Sequence, residues 1–166
     1  MRGRQPTTME VPVLPALALA LALALPATAS TPPQLFHHKT EAVMSASFLP
    51  YQGKYFIPGQ GDYTLCVLRR ESNSHWFSTN RSSGYFGAFQ FNKALTVGAT
   101  WMITPELKAL YGVAQGRRIA HRLRYTEMHK WAPYYQHMAF ATVLNWTSPY
   151  SGAKHWAGGR FHCPKT

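Results

Sequence analysis

Acidic residues are what this 166-residue chain has least of: six Asp and Glu stand against 17 Lys and Arg, for a formal net charge of +11 at pH 7. Any chemistry that needs two facing carboxylates therefore has few residues to draw on. Cysteine is nearly as scarce, at two residues, so no multi-bridge scaffold and no cysteine-rich metal knuckle fits the chain. No H-E-x-x-H pair occurs among the eight histidines, and no Ser or Cys sits in a nucleophile-elbow context. The reading is therefore one without a metal site or cofactor. The longest apolar run, Val11 to Leu25, carries two prolines and falls short of the roughly 20 residues that span a bilayer. No internal repeat is evident.

What is present begins with that run. Arg2 and Arg4 precede it, and Ala27-Thr28-Ala29 closes it as a small-residue cleavage site. This is the pattern of an export signal, expected over residues 1–29, with a linker over 30–50 and one domain over 51–166. Removing the signal takes away two Arg and one Glu, leaving 15 basic against 5 acidic residues, a net of +10. For an exported protein such a field favours anionic cell-wall polymers over nucleic acid; alternatively it serves solubility alone. The protein is expected outside the membrane, secreted or in the cell wall, as a monomer. In an oxidising compartment Cys66 and Cys163 would pair, the alternative being two free buried thiols.

The stretch from Tyr63 to Phe91 organises the rest. Asp62 is suited to cap a helix, and Leu65 and Leu68 recur as an apolar stripe. Glu71 lies one turn beyond Val67 and Leu68, at an apolar rim and near the helix C-terminus, where desolvation and the helix dipole both disfavour an anion. A general acid needs that environment; the plainer alternative is a solvated surface glutamate paired with a neighbouring Arg. Ser72 to Ser83 reads as turn, rich in Ser, Asn and Thr. Phe86, Ala88 and Gln90 then alternate with Tyr85, Gly87, Phe89 and Phe91, as in a strand whose Gly87 leaves room for close approach by a sugar ring.

The run E-S-x3-W followed by N-R-S-S-G-Y-F-G-A-F-Q-F resembles the catalytic segment of lysozyme-like cell-wall enzymes, particularly resuscitation-promoting factors and soluble lytic transglycosylases. The resemblance covers roughly Leu65 to Trp101. It implies an α+β, mainly α, lysozyme-like domain with a short β-hairpin beside the catalytic cleft. It also implies a peptidoglycan substrate, Glu71 as catalytic acid and base, and Gln90, Tyr85 and Trp76 near the glycan. Asn80 stands where related sequences often carry Thr or Ser, and is taken with them as a substrate contact.

Elsewhere, Thr104-Pro105-Glu106 reads as a helix start with Glu106 in its first turn, ending at Gly112. Residues 117–131 read as a basic helix with Ile119, Leu123 and Thr126 inward. Tyr134 to Trp146 is apolar nearly all round, as in a central buried helix. Beyond the signal, the acids other than Glu71 are Glu41 in the linker, Asp62 and Glu106 at helix starts, and Glu127 among basic residues at ion-pairing spacing. Asp62 lies about 13 Å along the helix from Glu71. Two-carboxylate glycosidases need about 5 to 9.5 Å, so a single-acid mechanism is expected. The alternative is a non-catalytic cationic module that binds peptidoglycan and keeps the cleft.

Overall fold

The computed structural model describes residues 31–36, 49–146, 152–157 and 163. The expected signal (1–29), His37, His38 and Glu41 lie outside these. The described chain is α+β and mainly α. A 3-10 turn, Pro58–Gln60, leads into α1, Gly61–Ser72. Three two-residue strands follow: β1, Thr79–Asn80; β2, Tyr85–Phe86; and β3, Phe91–Asn92. Then come α2, Lys93–Tyr111; α3, Val113–Arg124; a 3-10 turn at Met128–Lys130; α4, Pro133–Leu144; and a last 3-10 turn, Gly152–Trp156. Among these helices none is long and apolar enough to cross a membrane.

The strands form one antiparallel sheet in the order β1-β2-β3, with Asn80 opposite Tyr85 and Phe86 opposite Phe91. The period-two pattern expected across Tyr85 to Phe91 stops after Phe86. Gly87 and Gln90 both have positive φ (80° and 50°), and the Gln90 N–H closes a turn on the Gly87 carbonyl. What approaches Gly87 is protein: a Cβ there would stand 2.6 Å from both Gln136 Oε1 and Met128 Cγ. The space expected for a sugar is filled by a core glutamine.

α4 is the central helix, as its nearly all-round apolar composition implied; all of its residues but Tyr134 are buried. Pro133 begins it, supplying a fixed φ where no N–H partner is needed. Tyr135, Met138, Ala139 and Phe140 meet Val67 and Leu68 of α1, Phe89 and Phe91 of the sheet region, and Ile103 and Leu107 of α2 in one core. α2 and α3 cross closely because Gly116 has no side chain; a Cβ there would lie 2.5 Å from the Lys108 nitrogen.

Several local expectations change. Asp62 does not cap α1; Gln60 occupies that position without a side-chain bond, and Asp62 stands exposed in the first turn, where its charge suits the dipole. α2 starts at Lys93 rather than Thr104, because the Asn92 side chain caps it by accepting from the Leu95 N–H. Pro105 is carried inside the helix. Glu106 is therefore no first-turn acid: it is buried, accepting from the Tyr51 hydroxyl at 2.7 and 2.8 Å and from the Lys54 N–H at 2.8 Å. That carboxylate ties the irregular 51–55 segment to α2. α3 ends at Arg124, so Thr126 lies beyond it, although Ile119 and Leu123 do face the core. Residues 31–36, expected as linker, pack on the domain: Leu35 accepts from the Ala132 N–H, and Pro33 accepts from the Tyr135 hydroxyl at 2.9 Å.

Candidate active site

Glu71 is the penultimate residue of α1. The helix stops there because Asn73 turns left-handed (φ 53°), bringing the Asn73 N–H to the Arg69 carbonyl and the Ser74 N–H to the Leu68 carbonyl. The Ser72 hydroxyl also donates back to Leu68 at 3.0 Å. Val67 and Leu68, one turn earlier, are fully buried. Glu71 thus stands at the rim of an apolar face at a helix C-terminus, with 26% of its side chain exposed.

Its carboxylate is not unpaired. Arg70 Nε and Nη2 both donate to Glu71 Oε1, at 3.0 and 2.7 Å. This corrects the expectation of an anion facing only desolvation and the helix dipole, and it supplies the neighbouring-Arg contact that the plainer reading of Glu71 called for. Both bonds fall on one oxygen; Oε2 makes no hydrogen bond to a described residue. Tyr63, two turns back on α1, is buried with its hydroxyl unbonded among the described residues. Burial pushes that phenol up, with Arg70 opposing the shift and Glu71 adding to it, so the phenol lies within the field of the pair.

Arg70 Nη2 reaches a second acceptor, the Trp156 carbonyl, at 2.9 Å. The Trp156 indole N–H in turn donates to the Phe89 carbonyl at 3.0 Å, and its ring packs on Phe91 and Phe140. Trp156 therefore joins the end of α1 to the Gly87–Gln90 turn. The Cys66–Cys163 disulfide, with Cα atoms 5.7 Å apart, fastens the same tail to the middle of α1.

The residues expected to meet a glycan separate into three environments. Tyr85 and Asn80 face each other across β1 and β2, both exposed. Gln90 is half-buried, with its side-chain amide donating to the Gly87 carbonyl at 2.8 Å. Trp76 is a correction: it is 3% exposed and packs edge-on against Phe89, so its ring offers no face to a sugar. No hydrogen bond or ion pair among the described residues joins Glu71 directly to Tyr85, Asn80 or Gln90.

Arg70 and Gln136 were missed as site-shaping residues. Gln136, fully buried on α4, accepts from the Ala88 N–H at 2.8 Å and donates to the carbonyls of Trp76 and Trp131, both at 2.9 Å. A polar residue inside a mostly apolar helix, beside His137, was its only sequence signal. The three non-glycine residues with positive φ among those described, Asn73, Ser74 and Gln90, all fall in the segment that runs from Glu71 to this turn. Asn73 and Ser74 turn the chain at the end of α1, and Gln90 closes the turn on Gly87. Comparison with known families, curated proteins and solved structures found no match.

Proposed function

We propose that this is an exported peptidoglycan-cleaving enzyme of lysozyme-like fold, with Glu71 as its single acid and base. The observation that carries the reading is the presentation of Glu71: a carboxylate at a helix end, gripped through Oε1 alone, with Oε2 left without a bond to any described residue. Holding one oxygen fixes the plane of the group, which is what a proton donor needs, since small misplacements cost large factors in rate. The resemblance over Leu65 to Trp101 points to the same residue.

The other described acids are engaged elsewhere or lie far from Glu71. Glu106 is buried on Tyr51, Glu127 is paired with Lys130 at 3.0 Å, and Asp62 is exposed at the far end of α1. A single-acid course follows. Glu71 in its protonated form donates to the glycosidic oxygen as the bond from the anomeric carbon breaks. The substrate's acetamido group supports the developing positive charge, and its own 6-hydroxyl attacks the anomeric carbon. The proton of that hydroxyl returns to the Glu71 carboxylate, and a 1,6-anhydro end results without consumption of water. Tyr85, Asn80 and Gln90 are assigned to glycan contact.

Glu71→Gln should keep the fold and abolish release of soluble fragments from purified peptidoglycan, with wild-type products carrying anhydro ends by mass spectrometry. Undiminished cleavage by the mutant would remove Glu71 from the role, and water-added reducing ends alone would make the protein a hydrolase.

A second reading rests on the Arg70–Glu71 pair itself. An ion-paired carboxylate suits a binding module that keeps the cleft and retains peptidoglycan or anionic wall polymers without cutting them. Wall pull-down with no soluble fragment released at any pH would favour it.

A further inference from the structure

Away from Glu71, the end of α3 and the start of α2 enclose a cavity of about 480 Å³, within the range typical of ligand sites. Phe86, Val97 and Met128 give it apolar walls, and Lys93, Arg124 and Glu127 give it charge. Arg124 is held ready for a ligand. Its guanidinium lies 3.5 Å from the centre of the Trp101 ring, and its Nε donates to the Thr100 hydroxyl at 3.3 Å. Stacking fixes the plane of the group, and its terminal amino groups carry no hydrogen bond to a described residue. Neither Arg124 nor Lys93 has an acid within ion-pair reach among the described residues. The one carboxylate in the lining, Glu127, is already tied to Lys130, whose hydrogen bond holds it below the usual carboxylate range.

Two large aromatic side chains stand at this place with no burial to account for them. Tyr125, in the lining, is 74% exposed, and Trp101, one turn along α2 from Val97, is 60% exposed. Exposed Tyr and Trp beside a pinned, unpaired arginine and a lysine combine a stacking surface for a ring with donors for an anion.

The geometry points to a second binding site here, for a carbohydrate chain bearing acidic groups: a pyranose ring against Phe86 and Tyr125, with its carboxylate or phosphate on Arg124 and Lys93. Charge complementarity selects this occupant over a neutral sugar, and the aromatic walls select it over a bare polyanion. The site is separate from the residues that would cut a glycan. It would anchor the protein on an acidic polymer while the Glu71 end works or, in a binding module, would itself be the point of attachment.

Isothermal titration of the full chain with trigalacturonate, which carries a carboxylate on every ring, should show saturable binding. Tyr125→Ala and Lys93→Gln, both at exposed side chains, should each weaken it about tenfold, the change expected from one ordinary contact. Val113→Ala, exposed at the far end of α3 and outside the lining, should leave it unchanged. Galactotriose, the same kind of ring chain without charge, and tripolyphosphate, charge without rings, should each bind at least tenfold more weakly. No binding of trigalacturonate, equal binding of either control compound, or insensitivity to both Tyr125→Ala and Lys93→Gln would each overturn the assignment. These readouts are binding constants, so their failure is distinct from failure of the cleavage assay.

Discussion

His137 makes acid the weak side of this fold. The residue sits on α4, fully buried, with its ring stacked near Phe89 and edge-on to Tyr51 and Phe56. Its Nδ1 accepts the Tyr51 N–H at 3.1 Å, a bond that only the neutral ring can accept. Burial pushes its pKa from 6.5 down to about 4. The unfolded chain therefore binds a proton at a pH where the folded chain refuses it. The stability this represents is fully present above pH 6.5 and is lost as the pH falls toward 4. The span of the shift corresponds to about 3 kcal/mol, of which about 2 kcal/mol is gone by pH 5. Against a typical total of about 5–15 kcal/mol, that loss is measurable in a single denaturation series. Urea unfolding followed by tryptophan fluorescence at pH 7.5, 6.5, 5.5 and 4.5 should give a midpoint that falls steadily below pH 6.5. His137→Gln keeps an acceptor for Tyr51 and removes the titration, so its stability should start lower and stay nearly flat over the same interval. An equal slope in mutant and wild type would assign the acid sensitivity to other groups and refute the role given to His137.

Two further outcomes follow from the packing around Glu71. Cys163→Ser opens a link between residues 97 apart and frees the tail that places the Trp156 carbonyl on Arg70, so thermal unfolding should show a loss of about 2–5 kcal/mol. Wall-cleavage rate should drop at temperatures where the mutant remains folded; unchanged melting and rate would show that the tail does not brace the site. Gly87→Ala puts a methyl into Gln136 and Met128 at a left-handed residue and should cost about 2–4 kcal/mol, whereas Gly84→Ala, also left-handed but in open space, should cost about 1 kcal/mol. Equal costs in chemical denaturation would mean that Gln136 does not depend on that approach.

Much of the frame was legible in the order of residues alone. Two cysteines in a chain read as exported leave one pairing, and the structure has it. An apolar stripe ending at Glu71 placed that carboxylate at a helix end beside buried Val67 and Leu68, and the near-continuous apolar run after Pro133 identified the central helix. These features are local: periodicity reports which face of an element is buried, and composition reports how completely.

Tertiary structure alone decided what each face meets. Trp76 and Tyr85 are both aromatic residues near a turn, yet one is sealed against Phe89, 13 positions on (89 − 76), and the other is exposed, a difference that neither residue's neighbours in sequence encode. Gly87 looked like room for a ligand, but Gln136, 49 positions on (136 − 87), takes that room. Glu106 looked like a helix-start acid, and a tyrosine 55 residues earlier made it a buried anchor. The same holds at the candidate site. Arg70 adjoins Glu71 in sequence, but the Nη2 that holds the carboxylate also donates to the Trp156 carbonyl, 86 residues later, a contact only the folded chain supplies. Local patterning sets the stiffness and polarity of each segment; the partner of a buried polar group is chosen by chain closure over long separations, which no short-range period encodes.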